Sequence, residues 1–353
     1  MKSRIKKCVA NLKALSLDAL VLSNRINISY LTGFREADGY LLLTCEGELI
    51  YFTNFIYEYE AKDFGAWKVV MASGNIFKKL SDTARSLHFR RIGFESKNIP
   101  YLEYSKIKQY FLANHIELCE TVDFVERIRV IKEPQEVALI RKATKITEEA
   151  LEFSLEIRDR LTTEKQLNIE IERFLRIKGG GTVAFPAIVA YGANSALPHH
   201  VPKEGRKLYE NYYLIDLGAK YYEYCADLTR VFTWGKITPF FRRIYDIVKK
   251  AQDLSIKKIK DGVKVKDVDN AARSFIEKKG YGQFFGHGLG HGVGLEVHEL
   301  PYVSSRSEEV LKEGMVITVE PAIYLKGKFG IRIEDMVLVG KNKGEVLSGN
   351  FCR

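Results

Sequence analysis

The sequence predicts an α/β chain of two domains, with helices and strands mixed in each. Three observations predict it. The chain has 353 residues, more than one hydrophobic core usually serves. Its first third alternates short apolar runs of strand length with segments of helical periodicity. Its last third is rich in apolar strands, broken by single acidic residues and by a glycine–histidine run.

The opening stretch, "MKSRIKKCVANLKALSLDALVLS", reads as an amphipathic helix feeding a buried strand at 18–23. It contains basic residues but no uninterrupted apolar core of signal-peptide length. "GYLLLTCEGELIYF" (39–52) reads as a hairpin turning at Glu46-Gly47. "WKVVMA", "RRIGFES" and "IELCET" (116–121) add strands, and 76–87 and 102–114 carry helical spacing. A new region begins near "VERIRVIKEPQEVALIRKATKITEEALEFSLEI". Pro134 suits the first turn of a helix, where its missing N–H costs nothing. Val137, Ile140, Ala143, Ile146 and Ala150 mark its apolar face. A second helix over 163–178 stops at Gly179-Gly180-Gly181. Strands, two helices (about 239–260 and 265–279) and further strands follow.

Composition excludes several classes. Five scattered cysteines without a CxxC pair argue against a disulfide framework and a thiolate zinc site, and for a reducing, cytoplasmic setting. No apolar run approaches the roughly 20 residues that span a bilayer, so no membrane partner is expected. The net charge of +10 invites a nucleic-acid reading. The lysines and arginines are spread along the chain without a dense block, and no nucleic acid is expected.

The run "GHGLGHGVGLEVHELP" (286–301) concentrates three of the seven histidines. Glycine alternates from Gly286 to Gly294, and a helix through these glycines would lose about 0.8–1 kcal/mol at each. Read as a strand, the run puts His287 and His291 on one face and the glycines on the other, where something must approach the backbone closely. His298 has the opposite parity and needs a turn or bulge to join them. The plain alternative is a glycine-rich loop with incidental histidines.

Acidic residues answer these histidines. "YYLIDLGAKYYEYCADLTRVF" (212–232) folds as a hairpin turning near Lys220 to Glu223, with Asp216 and Asp227 nearly opposite each other. "GMVITVEPAIYLKGKFGIRIEDMVLV" (314–339) folds about Gly327 and places Glu320 opposite Glu334. Arg332 shares a face with Glu334 and could answer part of its charge. Each acid alone reads as a surface or salt-bridged residue. Buried together, paired carboxylates require positive charge between them. Four carboxylates and one neutral imidazole form a hard, oxygen-rich set that suits two divalent ions: manganese first, with cobalt, iron or zinc as alternatives. Two such ions close together polarise a carbonyl and activate water.

These stretches resemble a known family, the proline-specific branch of the pita-bread metallopeptidases (aminopeptidase P and prolidase). The Asp-x10-Asp hairpin, "GHGLGHGVGLEVHE", "EPAIY" and "GIRIED" match its order and spacing, and "INISYLTGF" with "GYLLLT" resembles a creatinase-like N-terminal domain. The resemblance implies a creatinase-like α/β domain over 1–125 and a pita-bread catalytic domain over 126–353. It implies Asp216, Asp227, His291, Glu320 and Glu334 as ligands, with Asp227 and Glu334 bridging and Glu320 also moving the proton. It implies His199 and His298 as catalytic histidines. His200 is the adjacent candidate and reads more readily as a loop residue. His287, Phe185, Tyr324 and Arg332 match the substrate cleft, although Phe185 reads equally as a core strand residue.

The expected activity is removal of the first residue from peptides with proline second, by a homodimer. The alternatives are a dipeptidase confined to free Xaa-Pro and, from another class, a metal-free peptide-binding module. A methionine aminopeptidase would leave the N-terminal domain without a reason.

Overall fold

The computed structural model describes residues 2–35, 38–63, 67–72, 74–158, 163–205 and 211–349, in two compact units that divide between Arg129 and Val130.

The N-terminal unit runs α1 (Lys2–Ala14), β1 (Ala19–Leu22), α2 (Arg25–Thr32), β2 (Tyr40–Thr44), β3 (Leu49–Thr53), α3 (Glu58–Asp63), β4 (Lys68–Met71), α4 (Ile76–Ser86), β5 (Arg91–Glu95), α5 (Tyr101–Ala113), β6 (Glu117–Thr121) and α6 (Glu126–Arg129). Its sheet has the order β4-β3-β2-β1-β5-β6. The β1–β2 and β2–β3 pairs are antiparallel and the others parallel. The "EG" turn predicted at Glu46-Gly47 joins β2 to β3, with Gly47 at φ 89°. Apolar residues of α4 and α5, including Leu80, Ala84, Ile107 and Phe111, bury against Val21, Leu42, Phe52 and Ile92 of the sheet.

The C-terminal unit begins with α7 (Pro134–Ile157) and α8 (Glu164–Gly179). Glu133 caps α7 in a capping box with Glu136, and Pro134 occupies the first turn. Thr163 caps α8, and Gly180 ends it at φ 100°. These helices cover the sheet β7 (Ile188–Tyr191), β8 (Tyr212–Leu217) and β11 (Leu228–Thr233), ordered β11-β8-β7. Between the last two strands lies the small ribbon β9 (Lys220–Tyr221) and β10 (Tyr224–Cys225). Ile146, Ala150, Leu167 and Ile171 meet Val189, Tyr213 and Ile215 in this core.

Helices α9 (Pro239–Ile256) and α10 (Val265–Lys278) follow. A second sheet then comprises β12 (Gly290–Gly292), β13 (Glu299–Val303), β14 (Val316–Val319), β17 (Asp335–Val339) and β18 (Gly344–Val346), ordered β13-β12-β14-β17-β18. The hairpin β15 (Ala322–Leu325) and β16 (Phe329–Arg332) projects from it. Ile244, Val248, Val268 and Ala272 pack beneath Ile317, Val319, Ile331 and Val337. Each fully buried Ile or Val here contributes roughly 1.5–3 kcal/mol, which makes this sheet a firm base for the acids it carries. Among the described residues, no helix is long and apolar enough to cross a membrane.

Candidate metal centre

The first acid pair is set by the β8–β11 ladder. Thr229 stands opposite Asp216, and Leu228 opposite Leu217. Asp227 precedes β11 and shares the parity of Thr229, so Asp216, Asp227 and Thr229 crowd one face. The chain between them returns through β9 and β10, turning at Tyr222 and Glu223 with φ 46° and 70°. Left-handed residues at both central positions are the geometry of a tight hairpin turn.

The second acid pair lies in a gap between two ladders that share one register. Val319 pairs with Asp335 on one side, and Ala322 pairs with Arg332 on the other. Continuing either register sets Glu320 across from Glu334, as the hairpin about Gly327 predicts. The ladder is broken at this point, which leaves backbone groups to be satisfied. Buried Gln252 of α9 donates to the carbonyls of Val319 (3.2 Å) and Ile333 (3.1 Å). The Glu320 N–H donates to Leu289 O, and the Glu334 N–H to Thr229 O.

The histidine comes from β12. A Cβ on Gly290 would stand 2.2 Å from Thr318 O, and one on Gly292 would stand 2.1 Å from Leu300 O. The glycines therefore allow the neighbouring backbones to close around His291. Only 290–292 form the strand, and His287 lies in the bend before it. Leu289, midway between the two histidines, is buried in the apolar core. The His291 N–H donates to Thr318 Oγ1 (3.1 Å). Its Nδ1 lies 3.2 Å from Gly292 O, which holds the proton on Nδ1 and leaves the Nε2 lone pair for a ligand. A register shift in the β12–β13 pair between His291 and Gly292 supplies the predicted bulge. It brings the His298 ring to 4.2 Å from the His291 ring.

These elements converge. Ligand atoms of Asp227, His291 and Glu334 lie within 4.8 Å of one another. His291 Nε2 is 3.4 Å from Glu320 Oε1 and 3.6 Å from Asp227 Oδ2. Among the described residues, Asp216 Oδ1 and Glu334 Oε1 are buried without a hydrogen-bond donor. Burial, and then the charge of neighbouring carboxylates, pushes Asp227 and Glu334 well above the usual carboxylate range. Burial likewise raises Asp216, against the pull of Arg332. Glu320 is lowered: burial opposes its charge, but contact with His291 and the nearby His287 and Arg332 outweigh it. Buried carboxylates with bare oxygens are costly unless a cation meets them. The donor set of oxygens and one imidazole fits hard or borderline divalent metals.

The other predicted residues line the same cavity of about 890 Å³. Arg332 donates from Nη2 to Asp216 Oδ2 (2.5 Å), from Nε to Thr229 Oγ1 (3.0 Å) and from Nη1 to Tyr324 Oη (2.7 Å). Arg332 does answer part of the Glu334 charge, as parity predicts, but its hydrogen bond goes to the other hairpin's acid. Tyr324 Oη in turn donates to His287 Nε2 (3.2 Å), because His287 Nδ1 faces Gly288 O (2.7 Å). Burial lowers the basicity of both His287 and His298. His199 is exposed on the cavity wall. His200 is buried, with Nε2 2.7 Å from Glu164 Oε2. Phe185 is half-buried, lies outside any strand and also lines the cavity. Sequence reasoning missed Thr229, two residues beyond Asp227 on the same strand face, and Gln252 and Glu164, which reach the site or its supports from helices distant in sequence.

The sequence matches the family model of "Metallopeptidase family M24" over residues 138–341 and that of the "Creatinase/Prolidase N-terminal domain" over 4–131. It is 36% identical over 350 residues to the "Xaa-Pro dipeptidase" of Pyrococcus horikoshii, covering 99% of this chain and 97% of that one. The structure of "Xaa-Pro dipeptidase from Bacillus anthracis" superposes with a TM-score of 0.92 at 32% identity, over 99% of this chain and 98% of that chain. That of an "X-Pro aminopeptidase from Thermotoga maritima" gives 0.85 at 35% identity, over 95% and 96%.

Proposed function

The chain belongs to metallopeptidase family M24 and is a metal-dependent exopeptidase, and we propose that it is an Xaa-Pro dipeptidase using two divalent ions, manganese first. The observation that carries the reading is the convergence of Asp227, His291 and Glu334 beside two bare carboxylate oxygens, in a cavity walled by Phe185, His287 and Tyr324. The full-length match to the Pyrococcus horikoshii dipeptidase supports the dipeptidase reading over the aminopeptidase expected from sequence. Likeness to the Thermotoga maritima aminopeptidase keeps activity on longer Xaa-Pro peptides as the second reading.

Asp216, Asp227, His291, Glu320 and Glu334 would hold the ions. When bound, the ions would supply Lewis acidity toward the scissile carbonyl and a nucleophilic water at neutral pH. The chain's own groups do the rest. Glu320 Oε1 is engaged by Thr318 Oγ1 and faces His291. Its Oε2 takes a proton from the attacking water and returns it to the leaving proline nitrogen. The imidazoles of His199 and His298 donate N–H to the oxygen as its negative charge grows. The Phe185, His287 and Tyr324 wall receives the proline ring. The C–N bond breaks, the acyl carbon gains the water oxygen, and the amine leaves with the proton.

We further place the protein in the cytoplasm as a homodimer. The free state of Cys8, Cys45, Cys119 and Cys225 suits a reducing compartment. Protein stripped with chelator and then resupplied with manganese tests the enzymatic reading. Hydrolysis of an Xaa-Pro dipeptide should vanish and return; full activity after exhaustive chelation contradicts it.

A further inference from the structure

We infer that Thr229 is a positioning residue of the metal centre: its hydroxyl turns the Glu334 carboxylate so that Oε1 is the oxygen left for a cation. The inference rests on the metal-dependent reading above. Thr229 is fully buried and stands opposite Asp216 in the ladder. Its Oγ1 accepts from Arg332 Nε at 3.0 Å. Arginine only donates, so the single hydroxyl proton must point elsewhere. Its acceptor is Glu334 Oε2, at 2.7 Å, although the hydroxyl also lies close enough to Asp216 to favour that carboxylate's charged form. The Thr229 carbonyl also accepts the Glu334 N–H at 3.2 Å. One residue therefore grips Glu334 at both its backbone and its carboxylate.

The bare atoms match this grip. Glu334 Oε2 is held by Thr229 and Oε1 has no donor; Asp216 Oδ2 is held by Arg332 and Oδ1 has no donor. Each carboxylate thus has one oxygen anchored by the protein and one left over. Buried threonines of helix α7 behave differently. Thr144 and Thr147 return their hydroxyl protons to carbonyls one turn back in their own helix. A carboxylate that rotates freely loses entropy on binding a metal, whereas an anchored one is already oriented.

Replacing Thr229 by alanine and by serine isolates the hydroxyl, since both variants lose the methyl group. Manganese affinity of the chelator-treated full chain is measured by calorimetry. Thr229→Ala should bind manganese about 10- to 100-fold more weakly than wild type, while Thr229→Ser stays close to it. If Thr229→Ala does not fold, Thr229→Val keeps the side-chain shape and makes the same comparison with serine. Equal affinity in the serine and hydroxyl-free variants overturns the inference while leaving the metal reading intact. A wild-type chain that binds no manganese overturns both.

Discussion

Arg332 Nη2 donates to Asp216 Oδ2 at 2.5 Å, while Asp216 Oδ1 is buried without a donor. The same guanidinium serves Thr229 and Tyr324. A planar fork does this; a lysine ammonium, a compact point charge, does not. Arg332→Lys should therefore leave part of the network unmet. Breaking a buried pair costs about 3–5 kcal/mol, and the lysine variant should lose a sizeable part of that in the metal-free protein. Denaturant unfolding with and without manganese checks this, and the ion should recover part of the loss. An unchanged midpoint would remove Arg332 from the support of the site.

Glu320→Gln keeps the shape and removes both the charge and the proton carrier. The turnover number should fall at least 100- to 10,000-fold, the usual worth of general acid–base catalysis, in a protein whose fold is intact by circular dichroism. Near-normal turnover with metal content confirmed would exclude the proton role.

The neighbouring histidines should separate cleanly. His199 faces the cavity, whereas His200 is buried against Glu164. His199→Ala should lower the turnover number about 100- to 1000-fold, the usual cost of one oxyanion donor, with little change in stability. His200→Ala should lower the thermal midpoint and affect turnover less. If His199→Ala alters only the Michaelis constant, its contact is made equally in ground and transition states.

The raised Asp227 and Glu334 make a pH prediction. Between the ordinary carboxylate range and the raised folded value, the folded chain holds protons that the unfolded chain has released. These groups therefore make the metal-free protein less stable as pH rises through that window. Relative to Glu334→Gln, the thermal midpoint of chelated wild type should fall as pH rises above the ordinary carboxylate range. Added manganese should reverse the fall. A constant difference between the two proteins across that window would contradict the burial of unmet charge.

Much of the site was legible because hairpin symmetry is local arithmetic. Gly327 predicts the Glu320–Glu334 pairing, and the observed ladders on both sides keep that register. The turn before Asp227 and the glycine backing of His291 follow the same short-range logic. Parity names a face but not the neighbour arriving from another sheet, so the hydrogen bond of Arg332 to Asp216 was not legible. Gln252 looks like any polar helix residue until the broken ladder presents two carbonyls to it. Helix α2 was missed in the N-terminal unit. Its signals are the Asn24 cap and Gly33 at φ 81°, flanking a stretch too short for periodicity to stand out.

The length of peptide that the metal-loaded cavity accepts separates a dipeptidase from an aminopeptidase. The most direct measurement is kcat/KM for an Xaa-Pro dipeptide against the matching Xaa-Pro-Yaa tripeptide, with the manganese-loaded full chain. The account predicts that the dipeptide is cleaved efficiently and the tripeptide poorly. Equal or faster cleavage of the tripeptide would contradict the dipeptidase reading and establish an aminopeptidase instead.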